Sequence, residues 1–144
     1  MTFSMDDLQF RSVALYESTA IRYDNVSFGE TMTLDMSIQN ESGQVQQDGS
    51  IECQSVCSLT IKNGDKDFAL FISQYRAHFD SPQEITEANL ASGTPLGDEI
   101  NSWLLSYIYP YHRQLITDMN SRMGLAPIPL PWLVTQLLNA ESAA

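Results

Sequence analysis

The chain alternates before it winds. Residues 32–38, "MTLDMSI", set Met32, Leu34, Met36 and Ile38 on one side and Thr33, Asp35 and Ser37 on the other. A period of two marks a half-buried β-strand. Residues 50–61, "SIECQSVCSLTI", repeat the pattern with Ile51, Cys53, Cys57, Leu59 and Ile61 in phase. Residues 67–79, "DFALFISQYRAHF", are apolar on both sides, with Phe68, Leu70 and Ile72 on one and Ala69, Phe71 and Tyr75 on the other. A first strand fits residues 10–24, "FRSVALYESTAIRYD", with an irregularity around residues 18–20. Residues 39–49 read as a polar connection. Asn63-Gly64 supplies the two positive-φ positions of a type I′ turn, so the third and fourth strands should form a tight hairpin. Connections this short exclude parallel crossovers, which need a dozen or more residues. The first two thirds therefore predict a four-stranded antiparallel sheet.

After Phe79 the period changes. Residues 80–93 are polar and turn-like. Thr94 is placed to cap a helix with Pro95 at its first position. From there Ile100, Leu104, Ile108, Tyr111, Leu115 and Met119 recur at helical steps. Pro110 cannot donate an N–H, and its ring crowds the carbonyl of Ser106. Its place predicts a new helix over residues 109–123 with the proline in its first turn, stopped by Gly124 in a left-handed C-cap. That helix would show His112, Arg113, Gln114, Thr117, Asp118 and Ser121 on its polar face. Next comes "LAPIPLPW", where Pro127, Pro129 and Pro131 hold the backbone extended. Helical spacing returns from Trp132 and predicts a short C-terminal helix. The whole reads as one α+β domain over residues 1–144, with the sheet at about 8–79 and the helical part at about 94–138.

Composition narrows the partners. The 144 residues carry eighteen acidic and seven basic side chains, a formal net charge of -11. Nucleic acid needs a basic stripe, and the sequence has none. The start, "MTFSMDDLQF", lacks the basic and apolar regions of a signal peptide. No run approaches the ~20 apolar residues of a membrane span. A cytoplasmic protein without membrane insertion is expected. Cys53 and Cys57 lie four apart on one strand face, about 13 Å along it. They cannot bridge within that strand and read as small core residues.

Catalytic constellations do not emerge. The sequence has no glycine-rich phosphate loop and no Cys-x-x-Cys, and His78 and His112 are not at ligand spacing with other donors. Asp98-Glu99 complements the dipole of the helix it opens. An enzyme is not expected, and neither a cofactor nor a metal is called for. The conspicuous feature is surplus apolar surface. One long and one short helix can cover about one face of the sheet, yet the fourth strand and residues 125–138 are rich in large apolar side chains. Such patches point to an oligomer, to a groove for extended apolar chains, or to both.

The C-terminal third resembles SecB, the tetrameric bacterial export chaperone, and its relatives. The resemblance rests on Ile108-Tyr109-Pro110-Tyr111, Arg113, Ile116, Met119, Ser121-Arg122, Gly124, Pro127 and Leu130-Pro131, with Gly93-Thr94 upstream at the family's spacing. It is specific from about residue 93 to 131 and pattern-level before that. It implies a SecB-like protomer, a four-stranded antiparallel sheet followed by a long helix and a short C-terminal helix. It further implies a homotetramer assembled as a dimer of dimers through the long helices, acting as an ATP-independent holdase with no cofactor. Unfolded or partly folded clients would lie in apolar grooves. On that basis Phe71, Trp103, Leu125, Ile128, Leu130, Trp132 and Leu133 are the candidate client-binding residues. Tyr111, Leu115 and Met119 are the candidate oligomer interface.

Departures from the family shift the expected client. Export members dock the SecA motor through acidic residues on the outer sheet surface. The matching places here hold Ala20, Asp24, Leu70 and Ile72, and only Asp24 is acidic. Trp132-Leu133 replaces the family's Asn/Asp-Phe step, and the extended acidic tail of some export members is missing. The pattern fits a SecB-like chaperone dedicated to an antitoxin, within a toxin–antitoxin–chaperone system. A general carrier of preproteins to SecA is the alternative. An enzyme or ligand-binding α+β domain sharing only the fold is a third, since fold does not fix function.

Overall fold

A computed structural model describes residues 3–26, 29 and 32–125. Four strands, β1 (Gln9–Arg22), β2 (Met32–Val45), β3 (Ile51–Asn63) and β4 (Lys66–Asp80), form one antiparallel sheet in the order β1-β4-β3-β2. The last strand returns to the middle, so β1 and β2 are the edges. A one-turn helix α1 (Glu87–Leu90) precedes a helical run from Pro95 to Arg122 that lies across one face. The expected α+β architecture is present. The expected C-terminal helix falls outside the described residues.

The sheet departs from the alternation in four places. The polar stretch after Ile38 continues β2 to Val45, because an edge strand can face its polar side chains to solvent while its backbone stays paired. The reversal is confined to the segment after it, where Asp48 Oδ1 accepts from the amide and the hydroxyl of Ser50 at 3.0 and 2.6 Å. A bulge between Glu41 and Gln44 carries Gly43 at φ +118°, where an added Cβ would strike the carbonyl of Glu52. Ser42, beside it, is buried, and its hydroxyl donates to the carbonyl of Leu90, fastening α1 to the sheet edge. In β1 the irregularities fall at Arg11 and Tyr16, not at residues 18–20. Phe68 lies in a bulge of the β3–β4 ladder and is buried in the core cluster with Ala69 and Phe71.

The β3–β4 hairpin is as tight as expected, but its turn is of the other kind. Asn63 pairs with Lys66, so the two loop residues are Gly64 and Asp65. Gly64 has φ +64°, and no described non-glycine residue has positive φ. Glycine first and a negative φ second match type II′, not type I′.

The helical run begins as expected. Thr94 Oγ1 accepts from the amide of Gly97 at 3.1 Å, and Pro95 follows at the first position. It ends as expected too. Gly124 has φ +72°, its amide donates to Ser121 O, and that of Leu125 donates to Asn120 O, the two bonds of a Schellman cap. Between these ends the helix does not restart at Pro110. Helix α2 (Pro95–Trp103) passes through a π-turn, Leu104–Ile108, into α3 (Tyr109–Arg122) with helical backbone throughout. The wide turn holds the Ser106 carbonyl that the proline ring would crowd in a plain α-helix.

The core lies between this helix and β3–β4, in two clusters. One gathers Ile51, Phe79, Leu96, Ile100, Leu104 and Ile108, and the other Cys57, Leu59, Phe68, Phe71 and Ile116. Cys53 and Cys57 are buried and free, as expected, and burial pushes both thiols up to about 12.

Candidate functional site

The helix-facing row of β1 outreaches the helix above it. Phe10 pairs with Phe79 and Leu15 with Tyr75, so both point to the helix side. The inner strands carry their side chains under the helix, but the edge strand leaves Phe10 55 % and Leu15 46 % exposed. Along the helix, Tyr107 and Tyr111 stand 64 % and 50 % exposed beside them.

The rings here form an aromatic strip of two contact groups. Phe10 meets Phe79 edge-on at 5.8 Å and Trp103 at 5.6 Å; Trp103 stacks on Tyr107 at 5.6 Å. Tyr75 meets Tyr111 at 5.6 Å, and its hydroxyl donates to the Tyr111 carbonyl at 3.3 Å. A groove of about 530 Å³ runs on from Tyr75 and Tyr111 past Leu115 and Asp118 to Ser121. Its chemistry is that of a binding surface, with flat amphipathic rings set on rigid elements and a polar rim.

The opposite face of the sheet is different. At one end Glu52 accepts from Arg76 Nη1 at 3.3 Å and from His78 Nε2 at 2.8 Å, and the Arg76 guanidinium lies 4.1 Å from the centre of the Tyr16 ring. At the other end Thr19 pairs with Ile72 and Ile21 with Leu70, an apolar patch on which Ile21 is 40 % exposed. Ala20 pairs with Phe71 and so belongs to the helix-facing side, not to the outer surface with Leu70 and Ile72. Asp24 is exposed in the turn after β1.

The expected site residues separate. Phe71 is fully buried against Ile116 and is core, not groove; its place on a central strand under the helix leaves no surface to offer. Trp103 is half-buried at the centre of the aromatic strip, and Leu125 packs half-buried against the second core cluster. Ile128, Leu130, Trp132 and Leu133 lie outside the described residues. Tyr111 is exposed, and Leu115 and Met119 are half-buried. Phe10, Leu15 and Tyr107 were not foreseen. A strict period of two would set Phe10 opposite Leu15; the bulge at Arg11 brings both to the helix side, and the strand order makes that side an uncovered edge.

His112 is the largest correction. Expected on the solvent side of the helix, it is fully buried between the two core clusters. Its Nε2 lies 2.9 Å from Ser55 Oγ on β3 and its Nδ1 2.5 Å from Ser73 Oγ on β4. Burial lowers its pKa to about 4, so the ring is neutral, with one nitrogen donating and the other accepting. Among the described residues no group of three His, Cys, Asp or Glu side chains could hold a metal, and no helix is long and apolar enough to cross a membrane.

No family model matches the sequence, and no curated protein matches it. Among solved structures, the fold superimposes on the Rv1957 SecB-like chaperone of Mycobacterium tuberculosis, solved in complex with a ChAD peptide from the Rv1956 HigA1 antitoxin. The TM-score is 0.66 at 20 % identity, over 89 % of this chain and 91 % of that one. The four-stranded antiparallel sheet, the long helix laid across it and the superposition along nearly the whole of both chains give this protein the SecB-like fold.

Proposed function

We propose that this protein is an ATP-independent holdase of the cytoplasm that binds non-native polypeptide, with a dedicated client such as the antitoxin of a toxin–antitoxin–chaperone system. The observation that carries this reading is the fold, which is that of a chaperone solved with an antitoxin peptide. The exposed aromatic strip supports it, since a monomer rarely leaves such rings bare. Client contact is assigned to Trp103, Leu125, Ile128, Leu130, Trp132 and Leu133. Tyr111, Leu115 and Met119 are assigned to assembly of a homotetramer as a dimer of dimers. No catalysis enters this reading.

The test is co-purification from the native host with identification of the bound chain, beside light scattering of a guanidine-denatured test protein diluted into buffer. Recovery of an antitoxin and suppressed scattering are expected. A monomer that leaves scattering unchanged would sink the proposal. Delivery of preproteins to SecA is the second reading. The apolar Ile21, Leu70 and Ile72 on the outer face weigh against it, and retention of SecA without any antitoxin would reverse the order.

A further inference from the structure

Helix α3 carries two stripes that could face the sheet. One is Tyr111, Leu115 and Met119, in phase with Ile100, Leu104 and Ile108 by plain helical steps. The other is Tyr109, His112, Ile116 and Asn120. Hydrophobicity favours the first, since the second contains a histidine and an asparagine. The protein buries the second. Tyr109 is 2 %, His112 0 %, Ile116 0 % and Asn120 3 % exposed, while Tyr111 is 50 % exposed. The π-turn at Leu104–Ile108 inserts the extra residue that makes this phase possible.

The polar partners of that choice are built into the sheet. The helix-facing rows of β3 and β4 hold apolar or aromatic side chains except at Ser55 and Ser73, both buried. These two serines grip the two ring nitrogens of His112. A rotation of about 100°, one residue of helix, would leave both hydroxyls facing the Tyr111–Leu115 stripe without the ring. Buried polar groups are best attested as setters of register, where they cost stability and exclude alternatives.

We infer that the Ser55–His112–Ser73 clamp fixes the rotational register of α3, and that His112 is thereby the positioning residue that turns Tyr111 outward, with Leu115 half-buried beside it, to meet a partner. The second half of this inference rests on the proposed role of that face in assembly. The first half stands on the isolated protein.

The test replaces the clamp by apolar groups, S55A/H112L/S73A, and reads Tyr109 by nitration with tetranitromethane and peptide mapping. No client is added, so failure here is separate from failure of the chaperone reading. In the wild type Tyr109 stays unmodified. In the variant, which should melt at or above the wild-type temperature, Tyr109 gains reactivity at least severalfold as the helix samples the second register. His112→Gln, which keeps an amide against Ser55, should restore protection. A variant that melts higher with Tyr109 still protected overturns the inference, because hydrophobic packing alone then sets the register. If the triple variant does not fold, S55A/S73A decides by the same reading.

Discussion

Ser73 Oγ lies 2.5 Å from Nδ1 of His112, and Ser55 Oγ holds the other ring nitrogen at 2.9 Å. The ring is therefore kept neutral by burial, with its pKa lowered from 6.5 to about 4. The unfolded chain takes up a proton near pH 6.5 that the folded chain refuses until about pH 4. Stability supplied by the neutral ring is fully present above pH 6.5 and is lost as pH falls through that window. The depression corresponds to roughly 3 kcal/mol. Urea unfolding of wild type and H112Q between pH 7 and 4.5 should give a steeper loss for wild type by up to that amount. Parallel curves would remove His112 as the source.

Core and surface aromatics should respond in opposite ways. Phe71 is 0 % exposed and Tyr107 64 % exposed. Phe71→Ala should lower the free energy of unfolding by about 3–5 kcal/mol, as cavities left by buried phenylalanine do. Tyr107→Glu should leave the melting temperature nearly unchanged. If the aromatic strip binds clients, it should also weaken suppression of aggregation about tenfold, the loss of one aromatic anchor. Equal effects of the two substitutions on melting would contradict the placement of both.

Gly64 stands first in the β3–β4 turn at φ +64°. An alanine there would meet no neighbouring atom, so the penalty is purely one of backbone. Gly64→Ala should destabilise by about 1 kcal/mol. Asp65→Gly, at a position of negative φ, should change stability less than Gly64→Ala does. Asn63→Ala should also cost less than Gly64→Ala by chemical denaturation; a loss at Asn63 as large as at Gly64 would indicate a type I′ turn, in which those two would be the sensitive pair.

Assembly is testable at Tyr111, which is 50 % exposed above Tyr75. If the proposed tetramer assembles through this stripe, Tyr111→Arg should shift the sedimentation coefficient towards smaller species without loss of helical circular dichroism. A tetramer that survives the arginine would move the assembly surface away from this stripe.

The strands were legible because burial on a sheet needs only alternation. Met32, Leu34, Met36 and Ile38 announce β2, and the Cys53–Cys57–Leu59 phase announces the side of β3 that is buried. The caps were legible because Thr94, Pro95 and Gly124 act through local backbone geometry. The end of β2 was not, since its ladder with β3 does not depend on the polarity of the side chains it carries. Nor was the turn type. Asn63-Gly64 is compatible with two hairpin registers, and the pairing of Asn63 with Lys66 selects one.

Sequence by itself determined the element types, the antiparallel sense and the start and stop of the long helix, because each rests on contacts within a few residues of the chain. It also determined that apolar surface would exceed what one sheet and its helices can cover. Tertiary structure alone decided which side chains that surplus comprises. Phe71 became core because β4 returned to the middle of the sheet, and Phe10 and Leu15 became surface because β1 was left at its edge. His112 went inside because two serines, 57 and 39 residues away in the chain, wait beneath the helix, and a π-turn supplies the residue needed to reach them. Local periodicity cannot report partners that distant, so it assigned α3 the more apolar face and the fold chose the other.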